Sequence, residues 1–244
     1  MNQDNPRRRF LGRCSALASL FAVPAKVRAG GAFTAFAPAM LADRRGEPLD
    51  IDAISPHTEY IFQYPFVSTP CFLINLDDEV PGGEQLAMES GERYLWQGGV
   101  GPKRSIVAFS AICAHRLSHP TRSASFIGYR PRETGFLDNE LKVRRRADVI
   151  QCCSEQSVYD PAHGARVLGG PAPQPLAAIA LEHRDDGRLY ATGVYGGALF
   201  ERYFERFSSR LVLEYETFDI DAPVGASTRV VRGDEFTQHL VTCG

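Results

Sequence analysis

The chain has little that would direct it to nucleic acid, into a bilayer or into a helical bundle. Its 27 Lys and Arg stand against 29 Asp and Glu, a formal net charge of −2 at pH 7. There is therefore no overall basic field for a polyanion or an anionic membrane surface. No apolar run reaches the roughly 20 residues that a helix needs to span a bilayer. Six cysteines in 244 residues are too sparse for the disulfide framework of a small secreted domain. Internal repeats and low-complexity tracts are absent. No Ser-His-Asp order, phosphate-cradling glycine loop or paired-carboxylate signature stands out, so hydrolase and nucleotide-binding readings have no support.

What is plentiful is turn chemistry, with 22 Gly and 16 Pro. Between the turns lie short β-branched and aromatic runs: residues 60–62, 71–74, 94–96, 106–109, 178–181 and 189–192. Pro81-Gly82-Gly83, Gly98-Gly99, Gly101-Pro102 and Asp185-Asp186-Gly187 separate them. That spacing predicts an antiparallel all-β domain over 56–197. Residues 30–55, small, polar and proline-containing, read as a linker or N-terminal arm. Residues 121–148 look like an insertion carrying a basic cluster at Lys142, Arg144, Arg145 and Arg146. In the C-terminal extension, 198–244, an α/β segment is expected. Phe200, Tyr203, Phe204 and Phe207 fall there at the spacing of one helical face, over Ala198–Ser208.

At the N-terminus, Arg7-Arg8-Arg9-Phe10-Leu11 precedes a small, apolar stretch from Ser15 to Ala25 that Lys26 closes. The pattern over residues 1–29 resembles a twin-arginine export signal. Val23-Pro24-Ala25 and Val27-Arg28-Ala29 both offer small residues for cleavage. Because this route carries folded proteins, the expectation is a periplasmic protein with a cofactor loaded before export. It is membrane-anchored only if the signal is retained.

Two segments carry the chemistry. The first is Ile112-Cys113-Ala114-His115; the second runs from Cys152-Cys153-Ser154-Glu155-Gln156-Ser157-Val158-Tyr159-Asp160 to Gly170-Pro171-Ala172-Pro173. A lone Cys-x-His pair is weak. From Ser157 onward, however, Ser-x-Tyr-Asp, then Gly-x-x-Val and Gly-Pro-Ala-Pro, resembles the second cluster loop of the Rieske iron–sulfur family. The resemblance spans roughly Phe72 to Val194. It implies an antiparallel Rieske-like β-sandwich with a small cluster-binding subdomain. It also implies a [2Fe–2S] cluster with both thiolates on one iron and both imidazoles on the other. Carried over by position, Cys113, His115 and Cys152 are ligands. Ser157 and Tyr159 are hydroxyl donors to cluster sulfur, which stabilise the reduced state. Gly170 and Pro171 belong to a loop that covers the cluster.

The fourth ligand departs from the pattern: Glu155 stands where the second histidine is expected, and Gln156 where glycine usually follows. Ser118 and Ser154 occupy the places of the family's inter-loop disulfide. Several outcomes stay open. Glu155 ligates as a carboxylate, Cys153 supplies a third thiolate, His119 or His163 swings in, or no cluster binds. Cys113, His115, Cys152 and Cys153 also make an ordinary zinc set. Cys71 and Cys243 either pair or remain thiols. The resemblance implies an electron-transfer protein or oxidoreductase subunit rather than a stand-alone enzyme. It would pass single electrons to a c-type cytochrome or an oxidoreductase large subunit. Loss of the second histidine weakens quinol oxidation. The basic insertion is a solvated loop or a docking surface for an acidic redox partner. The rival reading is a cluster-free Rieske-fold interaction or assembly protein.

Overall fold

The computed structural model describes residues 32–243; the export signal expected over residues 1–29 lies outside the described residues. In chain order the elements are β1 (Phe33–Ala42), β2 (Glu59–Gln63), β3 (Pro70–Asn75), β4 (Glu84–Ala87), β5 (Arg93–Trp96) and β6 (Ile106–Ser110). They continue with β7 (Ile127–Arg130), β8 (Thr134–Leu137), β9 (Val143–Arg146), β10 (Val149–Cys152), β11 (Ser157–Asp160) and β12 (Arg166–Gly169). The last are β13 (Ala178–His183), β14 (Leu189–Tyr195), α1 (Leu199–Tyr215), β15 (Ser227–Arg229), β16 (Val231–Arg232) and the one-turn α2 (Gly233–Phe236). No described helix is long and apolar enough to cross a membrane.

The mostly-β expectation holds. An eight-stranded sheet has the order β15-β1-β14-β13-β6-β3-β2-β16, and a four-stranded sheet the order β12-β11-β10-β7. All pairings are antiparallel except β1 with β15. Strands β15 and β16 sit on opposite edges of the large sheet, yet only Val230 separates them. The sheet is therefore curled until its edges meet. Thr228 clasps the seam, donating through Oγ1 to the Gln63 carbonyl at 2.8 Å and accepting from the Gln63 N–H at 3.3 Å.

Strands β2, β3 and β6 carry apolar side chains on both faces, which is why they read as continuous apolar runs. Tyr60, Phe62, Cys71, Leu73 and Ala108 enter one core, with Leu199, Phe200, Tyr203 and Leu211 of α1. Ile61, Phe72, Ile74, Val107 and Phe109 enter a second core, which they share with Ile127, Ile150, Cys152 and Tyr159 of the small sheet. The second core fixes the small sheet, and hence the second cysteine loop, against the strand that leads into the first.

Two expectations change. Within the segment expected as a linker or N-terminal arm, residues 33–42 form β1, which lies inside the large sheet with Ala39 and Leu41 fully buried. Pro38 obscured it. The register of β1 shifts between Ala35 and Ala39, and at such a bulge a residue without an N–H does no harm. The insertion is also structured, since β8 and β9 pair as a hairpin. Its charges are largely spent internally, Arg144 on Asp138 at 2.7 Å, Arg145 on Glu133 at 2.7 Å and Lys142 on Glu140 at 2.6 Å. Helix α1 forms where expected and runs about two turns further.

Candidate metal centre

The first loop leaves the end of β6 and closes on itself. The Cys113 N–H donates to the Ser118 carbonyl and the Leu117 N–H to the Cys113 carbonyl, both at 2.9 Å. Leu117 takes a left-handed φ of 61° to complete this turn. Cys113 sits at the base, buried. The second loop is the turn of the β10–β11 hairpin, where Cys152 pairs across the strands with Ser157. Gln156 adopts φ 63° in that turn, a conformation that suits glycine and costs an ordinary residue about 1 kcal/mol. This is the position at which the family pattern expects glycine.

The two loops bring Cys113, Cys152 and Tyr159 together. The Tyr159 hydroxyl lies 3.3 Å from Cys113 Sγ and accepts from the Ala114 N–H at 3.2 Å. The Cys152 thiol hydrogen-bonds to the Cys113 sulfur, and the Tyr159 hydroxyl and the N–H groups of His115 and Arg116 add to it. Together these donors outweigh burial and lower the Cys113 pKa. The same contact and burial raise that of Cys152, against the N–H of Ser154 and the hydroxyl of Ser118. Ser118 was visible only as the place of a missing disulfide; its hydroxyl instead reaches a candidate ligand sulfur.

Two buried polar atoms here have no hydrogen-bond partner, Ser157 Oγ and His115 Nδ1. His115 Nδ1 is 3.7 Å from Glu155 Oε2, too far for a hydrogen bond. The other carboxylate oxygen of Glu155 accepts from Arg116 Nε at 2.6 Å. Gly170 presses its backbone onto the second loop with φ 83°, where a Cβ would stand 2.4 Å from the Gln156 carbonyl oxygen. Pro171 beside it is exposed.

Among the described residues no three His, Cys, Asp or Glu side chains gather around one point as a single-ion site. Cys153, held in a disulfide, cannot complete the four-ligand zinc set expected with Cys113, His115 and Cys152. The candidates fall into two thiols, Cys113 and Cys152, and the neighbouring His115 and Glu155. A buried serine hydroxyl and a buried imidazole nitrogen, both lacking partners, suit a two-iron cluster.

Cys153 does not belong to the set. It forms a disulfide with Cys243, 90 residues away, which overturns its expected role as a third thiolate. It equally overturns the pairing of Cys243 with Cys71. Cys71 is fully buried and donates its thiol to the Tyr64 carbonyl at 3.0 Å. Its place inside the apolar run of residues 71–74 was the available signal. The alternative histidines are engaged elsewhere. His163 Nδ1 meets Asp160 at 2.9 Å. His119 Nδ1 meets the Leu117 carbonyl at 2.9 Å, with its ring between Tyr203 and Phe207.

No known family profile matches this chain, and no curated protein matches it. Among solved structures it is similar to the soluble domain of the Rieske protein II (soxF) from Sulfolobus acidocaldarius, at 23% identity and a TM-score of 0.44, over 65% of this chain and 78% of that one.

Proposed function

We propose that this chain is an exported electron-transfer protein, or a small oxidoreductase subunit, that holds a Rieske-type [2Fe–2S] cluster between its two cysteine loops. The observation that carries the reading is the Tyr159 hydroxyl on the Cys113 sulfur, beside Cys152 and next to a buried Ser157 Oγ that has no partner. When bound, the cluster supplies one-electron chemistry at a potential that its hydrogen bonds tune. Cys113 and Cys152 would hold one iron, and His115 with Glu155 the other. Tyr159, Ser157 and Ser118 present hydroxyl donors to sulfur, which favours the more negative, reduced state. The Glu155 carboxylate in place of an imidazole adds a negative charge and pulls the other way; Arg116 offsets part of it. Gly170 brings the following proline segment down on the second loop. The partner would be a c-type cytochrome or an oxidoreductase large subunit, on the far side of the membrane if the N-terminal segment acts as the export signal it resembles.

Anaerobic purification followed by iron, acid-labile sulfide and EPR measurement tests this. Two irons and two sulfides per chain, lost in Cys152→Ser, are expected; folded, iron-free protein defeats it. A cluster-free interaction protein is the second reading. It is favoured by one contact, the commitment of Glu155 to Arg116.

A further inference from the structure

Beside the two loops, between them and helix α1, lies a cavity of about 520 Å³, a size that suits a small organic molecule rather than a bare ion. Its lining includes Arg116, Arg206, Arg210, His119, Phe126 and Phe207. Arg116 is spent on Glu155. The other two are not so matched. Arg206 forms no ion pair with a described residue and lies over the Phe207 ring at 5.6 Å. Arg210 stands 3.9 Å from Glu214, without a hydrogen bond to it.

Arg206 and Arg210 are four residues apart on one helix, so their like charges share a face and weaken it. A placement that costs helix stability calls for a counter-charge, and the protein supplies little. His119 adds a second, independent feature. It is 6% exposed, and its Nε2 has no partner. Because Nδ1 faces a carbonyl and must carry the proton, Nε2 is left as an acceptor for which the protein provides no donor.

We propose that this cavity binds a small organic dianion that carries a hydroxyl, a hydroxydicarboxylate or a phosphate monoester. Arg206 and Arg210 take the anionic group, the hydroxyl is offered to His119, and Phe207 and Phe126 flank the carbon skeleton. The site places such a molecule beside Glu155 and Ser154 of the second loop, where it can act as substrate or effector of the neighbouring centre. Binding itself does not require that centre to be loaded.

Calorimetric titration of the full chain with malate and with glycerol phosphate, iron content being measured on the same sample, tests the proposal. Saturable one-to-one binding of either probe is expected, with a dissociation constant on the order of 1 mM or tighter. Malate alone identifies the dicarboxylate class, glycerol phosphate alone the phosphate class. The Arg206→Gln/Arg210→Gln protein should lose at least about tenfold in affinity while keeping the far-UV circular dichroism spectrum of the parent. Saturation by neither probe, or undiminished binding by the double variant, overturns it, whatever the iron content.

Discussion

The Cys153–Cys243 disulfide closes a loop of 90 residues that contains β11, β12, β13, β14 and α1. Removing it in a Cys153→Ser/Cys243→Ser protein frees the unfolded chain without touching the apolar cores. For a loop of that length the chain-entropy relation gives ~4.5 kcal/mol at 25 °C. In a domain of this size each kcal/mol is worth about 2–4 °C in Tm, so the double variant should melt about 10–15 °C below the parent. The tail keeps other ties, the Arg130 guanidinium to the Val241 carbonyl at 2.6 Å and the Val241 N–H to the Ser125 carbonyl at 2.8 Å. The variant should therefore still fold. Thermal melts by far-UV circular dichroism, with and without reductant, provide the assay. Reductant should lower the parent to the level of the variant and leave the variant unmoved. A variant that melts within ~2 °C of the parent, or that responds to reductant as the parent does, would refute the assigned pairing and the entropy argument.

Gln156→Gly should raise stability by about 0.5–1 kcal/mol in urea titration, because the left-handed φ no longer costs a side chain. Burial of Glu59, against the Tyr129 N–H and Arg130, raises its pKa to about 7. The folded state thus binds a proton that the unfolded chain releases near 4.5, so stability is full below that pH and falls as pH rises through about 7. The loss should be on the order of 3 kcal/mol or slightly more, and Glu59→Gln should abolish it in melts across pH. Tyr159→Phe removes one hydrogen bond of about 1 kcal/mol from the Cys113 sulfur. In cyclic voltammetry of the loaded protein the midpoint should fall by roughly 40 mV per kcal/mol, the one-electron equivalent. Glu155→His should keep the iron and shift the EPR spectrum towards that of a two-histidine cluster. Loss of iron in that variant would show the second loop's register to be different.

Much of the scaffold was legible because β2, β3 and β6 are apolar on both faces and turns punctuate the chain. What escaped notice escaped for local reasons. Strand β1 is diluted by four alanines and Pro38, residues with little strand character, and owes its place to pairing with β14. Strand β9 carries three consecutive arginines, Arg144 to Arg146, and pairs with β8 through the backbone ladder, with ion pairs to Asp138 and Glu133 just outside β8 that no periodicity reports. At the site, the resemblance led to Cys113, Cys152 and Tyr159, which meet in space. The proximity of Glu155 to Arg116 depends on how two loops remote in sequence face each other, so neither residue alone announces it. Cys153 lay beside a candidate ligand, and its partner lies next to the last residue of the chain.

The seam at Val230 bears on how the protein is made. Until β15 and β16 have been synthesised, the large sheet has two unpaired edges, on β1 and β2, and such edges recruit other strands. The closing residues, 227–232, are made after every other strand of the sheet, and Cys243 is later still. A nascent chain therefore cannot close this sheet until residues 227–232 have left the ribosome. Until then it exposes aggregation-prone edges. Truncating the chain before β15 should accordingly cost more in soluble yield than the small share of the core held by residues 227–232 suggests.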